Sequence, residues 1–252
     1  MLFIEKWTPC ALLKGYANNI LQIIRAVHYC FVYKHNRILM LEHRYLNTKE
    51  ILINEIKDDK NEIISDTFFY FQEKLEPKLM KEYYQKYIKN IIKFNLENIE
   101  INNNDLFIHI RSGDLFSNVH PHRAYVQPPM FYYKKIIERY NKINIIYEDD
   151  KNPCVNELGK LDNVNMMSVD LENTFREFMK AKYLAIGFGT FGLLLYIMNS
   201  NLEKLYMPKY VYNEMPKGDY DLNLELIDLP NYIKCGEWNC SKEQLELMIN
   251  YK

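Results

Sequence analysis

The chain has 252 residues, 48% hydrophobic and 26% charged, and its 32 Lys and Arg against 33 Asp and Glu leave a net charge of −1. That length supports one large or two small domains with a real core, and the near-neutral balance argues against nucleic acid as a partner. No stretch approaches the roughly 20 apolar residues of a spanning helix and the first residues lack a charged-then-apolar leader pattern, so the expectation is a cytoplasmic chain with no transmembrane segment.

Five cysteines, Cys10, Cys30, Cys154, Cys235 and Cys240, are odd in number and scattered. This favours reduced thiols over a disulfide framework. A Cys235–Cys240 bridge stays open, and their isolated C-x4-C spacing does not suggest zinc. The 21 tyrosines and the Asn/Lys/Ile-rich texture read as compositional bias.

Residues 2–5 form the first candidate strand, and residues 17–35 carry Ile20, Ile24, Val27 and Phe31 at helical spacing. Gly15 precedes this helix, and Asn18 or Asn19 can cap it. A short buried strand over 37–42 completes a β-loop-α-β unit. The region 48–104 is expected to be mostly helical, with amphipathic segments at Ile51–Ile56, Phe68–Leu75 and Tyr83–Phe94. Asn102-Asn103-Asn104-Asp105 is a polar break, which sets domains of 1–104 and 105–252.

Beyond the break, strands at 105–110, 143–147, 163–167, 183–186 and 203–206 alternate with helices at 129–140, 171–181 and 190–199. Such alternation implies a parallel sheet with ligands at the strands' carboxyl ends. Ser241 and Gln244 have capping-box spacing before a final helix, a candidate to pack back on the N-terminal domain. The fold class is α/β with two Rossmann-like domains.

Two clusters carry chemistry. Phe107-Ile108-His109-Ile110 is a β-branched run ending in Arg111-Ser112-Gly113-Asp114, so His109 and Arg111 share a strand face. The planar guanidinium suits phosphate or carboxylate; the alternative is a turn in which Arg111 only pairs with Asp114. Ala185-Ile-Gly187-Phe-Gly189-Thr190-Phe191-Gly192 follows a strand and opens an apolar helix, an anion-binding arrangement of backbone N–H groups and the Thr190 hydroxyl. Close helix–strand packing explains the same glycines. The string matches G-x-G-x-x-G but lacks the acidic partner of a dinucleotide-binding oxidoreductase about 20 positions on. Together the clusters suggest a diphosphate between Arg111 and the Thr190 helix end.

At four places the sequence resembles the HxRxGD-motif α1,2-, α1,6- and protein O-fucosyltransferase superfamily. These are His109 to Asp114, the Gly15-Tyr-Ala-Asn18-Asn19-Ile-Leu-Gln22 loop-helix, Tyr125-Val-Gln127-Pro128-Pro129 to Tyr133, and Met179 through Gly192. The resemblance implies a small GT-B-type glycosyltransferase. It would be inverting, with no obligatory metal and no cofactor besides a nucleotide-sugar donor, GDP-fucose favoured, and it would act on a glycan acceptor. It implies that Arg111 holds the β-phosphate, that His109 lies near the nucleoside, and that Gly189, Thr190 and Phe191 form the phosphate-binding helix end. Gly15, Asn18 and Asn19 would approach from the other domain. Many members carry Asp where this chain has Thr174, which opens the donor to alternatives such as UDP-xylose, with Glu177 or Glu172 as compensating carboxylates.

Arg111 is then the candidate for leaving-group stabilisation, with Asp114 as its orienting partner or as a base. On the acceptor side, His120, His122 and Tyr125 are candidates, and the Asp149-Asp150 pair is a candidate for ribose or acceptor; a metal pair or exposed loop residues for the histidines, and solvated turn carboxylates for the aspartates, are the alternatives. A nucleotide- or glycan-binding protein without catalysis is the competing class.

Overall fold

A computed structural model describes residues 1–4, 7, 15–53, 62–64, 75–116 and 121–252, which form two compact units. One comprises residues 1–95 with 218–220, the other 96–217 with 221–252.

In the N-terminal unit, strand β1 (Leu2–Ile4), helix α1 (Tyr16–Tyr33) and strand β2 (Arg37–Met40) form the expected β-α-β unit, with β1 and β2 parallel. Helix α1 buries Ile20, Ile23, Ile24 and Val27. Strand β3 (Glu50–Leu52) runs antiparallel to β2, and β4 (Glu62–Ile64) runs parallel to β1, giving the order β3-β2-β1-β4.

The helical reading of Ile51–Ile56 is therefore wrong where the structure describes it. Ile51 and Ile53 are buried while Leu52 between them is 71% exposed, which is strand period two. Tyr83–Phe94 also departs from expectation. Helix α2 (Pro77–Tyr83) starts earlier, with proline in its first turn. It passes into a π turn at Tyr84–Ile88 and a 3-10 turn at Lys89–Ile91, after which Ile92 bridges Leu46. Of Phe68–Leu75 only Leu75 is described. Residues 218–220 join this unit, where Lys78 N donates to Asp219 O at 2.9 Å.

The C-terminal unit is built on a six-stranded, wholly parallel sheet: β5 (Asn102–Ile110), β6 (Ile143–Tyr147), β7 (Val164–Met167), β8 (Ala181–Ala185), β9 (Lys204–Pro208) and β10 (Asn223–Ile227). Asn102–Asn104 begin β5 rather than form a break, since Asn102 N bonds Lys180 O and the Asn102 amide bonds Asp105. The order is β10-β9-β8-β5-β6-β7. From β5 the chain steps outward through α3 (Met130–Ile137) to β6, then through α4 (Pro153–Leu158) to β7. Helix α5 (Leu171–Met179) returns it to β8 on the other side of β5, and α6 (Thr190–Met198) and α7 (Lys209–Glu214) carry it to β9 and β10. The direction of winding reverses between β5 and β8, a topological switch point.

The core on one face joins Leu106, Ile108 and Ile110 of β5 to Tyr132, Tyr133 and Ile136 of α3, to α4, and to Trp238. The last helix, α8 (Lys242–Asn250), packs on α3 and α4 of this same unit. Among the described residues no helix is long and apolar enough to cross a membrane.

In the C-terminal unit the short elements α4, α7 and β10 were not expected. For α4 a signal existed: Asn152 caps the helix by accepting Cys154 N–H, and Pro153 opens it. The wholly buried Tyr132 hydroxyl lies 2.9 Å from the backbone oxygens of both Ile186 and Tyr206 and has one proton to give, while the Tyr206 oxygen also accepts Ile186 N–H at 3.0 Å. We expect Tyr132→Phe to cost about 1–3 kcal/mol by stranding the buried Ile186 oxygen, read as a lower urea midpoint with an unchanged slope.

Candidate functional site

Strand β5 delivers its two faces separately. Ile108 and Ile110 enter the core, whereas His109 turns to α5 and α6, with ring centroids 5.9 Å from Phe178 and 4.8 Å from Phe191. Arg111, one step beyond the strand, continues that face toward the start of α6. A Cβ added at Gly189 would lie 3.4 Å from Arg111 Nη1 and 3.5 Å from its Cδ, so the guanidinium lies against the glycine preceding the helix.

Gly189 has φ of +145°, and no side chain caps α6. Its first-turn N–H groups therefore have no capping acceptor at the end bearing the dipole's positive charge. The half-buried Thr190 makes no side-chain hydrogen bond among the described residues. The other two glycines serve close approach. At Gly192 a Cβ would stand 3.0 Å from Ile186 Cβ, and at Gly187 it would stand 2.9 Å from both Gln127 Oε1 and Pro128 Cδ.

Arg111 Nη2 meets Asp114 Oδ1 at 3.3 Å, with Asp114 half exposed, and the guanidinium carbon lies 5.3 Å from the Tyr125 ring centroid. Among the described residues, buried Arg111 Nε has no hydrogen-bond partner. Burial, and then the Arg111 charge, push His109 down to about 3, so its imidazole stays neutral. His109 thus adds no positive charge beside the fixed cation of Arg111.

Tyr125 extends the cluster, with centroids 4.3 Å from exposed His122 and 5.3 Å from Phe188. His120 lies outside the described residues. Asp149 is tied into the turn itself: it accepts Ser112 Oγ–H, Gly113 N–H at 3.2 Å and Lys151 N–H at 3.1 Å. Its partial burial raises the pKa, but these hydrogen bonds outweigh that and hold it below the usual carboxylate range. Ser112 Oγ accepts Asn152 N–H at 2.9 Å, and Asn152 Nδ2 donates to Arg111 O at 3.0 Å. This network fixes the main chain from which Arg111 projects.

On α5, Phe175 packs on Phe191 at 5.2 Å, so the helix borders the cluster. The Thr174 hydroxyl donates to Val169 O at 3.4 Å, and Glu177 pairs with Lys180 at 2.6 Å. Gly15, Asn18 and Asn19 belong to the N-terminal unit, where Gly15 precedes α1 without a side-chain cap. There Asn19 Nδ2 lies 3.1 Å from His43 Nε2, while His43 Nδ1 accepts Tyr45 N–H at 3.4 Å. The side-chain oxygens of Asn18 and Asn19 are buried and have no partners among the described residues.

Among the described residues, no group of three or more His, Cys, Asp or Glu is placed to hold a metal ion. Cys235 and Cys240 are free thiols, and Cys235 donates to Ala124 O at 3.4 Å, so the open bridge is not formed.

Gln127, His43, Tyr210 and Tyr232 were not anticipated as site or supporting residues. Tyr210 and Tyr232 donate to Val126 O at 3.1 Å and Gln127 O at 3.0 Å, which holds the loop beside Arg111. Only the Gln-Pro-Pro string marked that loop in the sequence.

Comparison of the chain with family models, curated proteins and solved structures finds no match.

Unfolded His109 titrates near 6.5, and the native side chain near 3. Between those values the unfolded state binds a proton that the native state does not, so this residue's contribution is complete above about 6.5 and declines as pH falls. Urea unfolding at pH 4 and pH 7 should show a larger difference for the wild type than for His109→Phe.

Proposed function

We propose that the C-terminal unit binds a nucleoside diphosphate sugar at the β5/β8 crevice and that the chain is a metal-independent, inverting glycosyltransferase of the GT-B kind acting on a glycan hydroxyl. The observation that carries this is the placement of Arg111 against Gly189. A permanently charged fork and an uncapped helix N-terminus converge at the reversal point of a doubly wound sheet, where such folds bind phosphorylated ligands.

In this reaction the bond from the anomeric carbon to the diphosphate oxygen breaks while the acceptor oxygen attacks the opposite face, its proton passing to solvent or to the Asp114 carboxylate. Negative charge develops on the departing diphosphate. Arg111 and the α6 amides are already oriented toward that charge, a preorganised electrostatic contribution. Asp114 pairs with the guanidinium and the Tyr125 ring packs against it. Neutral His109, flanked by Phe178 and Phe191, suits an uncharged nucleoside better than a phosphate.

The resemblance favours fucose from GDP-fucose. A pyrimidine donor such as UDP-xylose is the second reading, supported by Thr174. Its hydroxyl is spent on Val169 O, and it supplies no carboxylate for the guanine edge.

Thermal denaturation with GDP, UDP and their sugars tests the proposal. A nucleoside diphosphate at about 100 times its Kd should stabilise the protein by about 2.7 kcal/mol, a rise of several degrees. Arg111→Ala should keep the fold, lose that rise and cut transfer about 100-fold or more. No shift with any nucleotide, or an active Arg111→Ala enzyme, overturns the proposal.

A further inference from the structure

We infer that Gln127 is a positioning residue that aims the Gly189 N–H at the diphosphate; this rests on the function proposed above. Gln127 is wholly buried, and its side-chain nitrogen donates to Phe188 O at 3.1 Å and Tyr125 O at 3.2 Å. One amide group therefore joins the loop following β5 to the loop following β8. Two neighbours restrain its orientation: Tyr232 holds the Gln127 backbone oxygen at 3.0 Å, and the side-chain oxygen lies against Gly187, where an added Cβ would meet it at 2.9 Å.

The consequence follows from peptide geometry. In a planar trans peptide the C=O of one residue and the N–H of the next point in opposite directions. With the Phe188 oxygen drawn to Gln127, the Gly189 N–H is turned to the other side of the chain, away from Gln127. That N–H has no hydrogen-bond partner among the described residues, and Gly189 lies against the Arg111 guanidinium. Its φ of +145° is a conformation that side-chain-bearing residues rarely adopt. The free side-chain oxygen of Gln127 fits the same arrangement: the donors do the work, and the oxygen fills the space that Gly187 leaves open.

The test compares Gln127→Met, which keeps length and removes both donors, with Tyr232→Phe, which removes a hydrogen bond to the same residue's backbone and leaves the side-chain amide. Dissociation constants for inorganic pyrophosphate, GDP and UDP are measured by calorimetry on the full chain. Loss of the oriented N–H should weaken pyrophosphate and the binding nucleotide about tenfold in Gln127→Met, the scale of one hydrogen bond, and leave Tyr232→Phe at the wild-type value. Wild-type affinity in Gln127→Met overturns the inference and leaves the proposed function standing, as does an equal loss in both variants, which marks a purely structural role. A wild-type protein that binds none of the three overturns the proposed function itself. Should Gln127→Met not fold, amide exchange in the wild type decides: slower exchange at Gly189 with pyrophosphate supports the inference, and unchanged exchange overturns it.

Discussion

The arrangement of the C-terminal unit depends on the pairing of β5 with β8. These neighbours lie side by side and parallel, yet the chain leaves β5 toward β6 and leaves β8 toward β9. Their following loops diverge, so no crossover covers the ends of the two central strands. Every polar group of the site occupies that gap or borders it: Arg111 enters from one strand, and Gly189 with the start of α6 from the other. A sheet wound in one direction would place a connection over these ends.

An open crevice exposes irregular backbone, whose carbonyls need donors. Here much of that need is met by tyrosine. Tyr132 serves Ile186, Tyr210 serves Val126, and Tyr232 serves Gln127. A phenol suits this work because its ring contributes buried area while its hydroxyl reaches a single carbonyl. Electrostatically the crevice stays simple. Its Arg111–Asp114 pair is partly exposed and so weakly held in water, which leaves the guanidinium available to a stronger anionic partner. The neutral imidazole of His109 adds no charge to compete with it.

Much of the scaffold was legible because its periodicities are strong. The β-branched run of β5, the apolar stripe of α1 and the capping box of α8 each point to one local structure, and the packed unit keeps it. Where the sequence misled, the segment was short or its burial depended on distant partners. Ile51-Leu52-Ile53 gives too few residues to separate period two from period 3.6, and its pairing with β2 decides the matter. Strand β10, Asn223–Ile227, has a mixed pattern and takes its place only by lying beside β9. The charged members of the site were visible as a strand-end cluster, whereas Gln127 was not, since nothing local distinguishes a buried glutamine serving two carbonyls from one on a surface. The tyrosines misled differently, because composition gave their number and only the fold gives their work.

The C-terminal segment adds a constraint of timing. Leu115 O accepts from Trp238 at 3.3 Å and Ala124 O from Cys235 at 3.4 Å, while Arg123 O accepts the N–H groups of Gly236 and Trp238. These donors lie 111 residues after Ala124 and 123 after Leu115, on a segment that precedes the last helix. During synthesis the crevice wall thus exists as sequence long before its carbonyls can be satisfied. The carbonyls of the loop beside Arg111 gain these donors only once the chain has been made as far as Trp238.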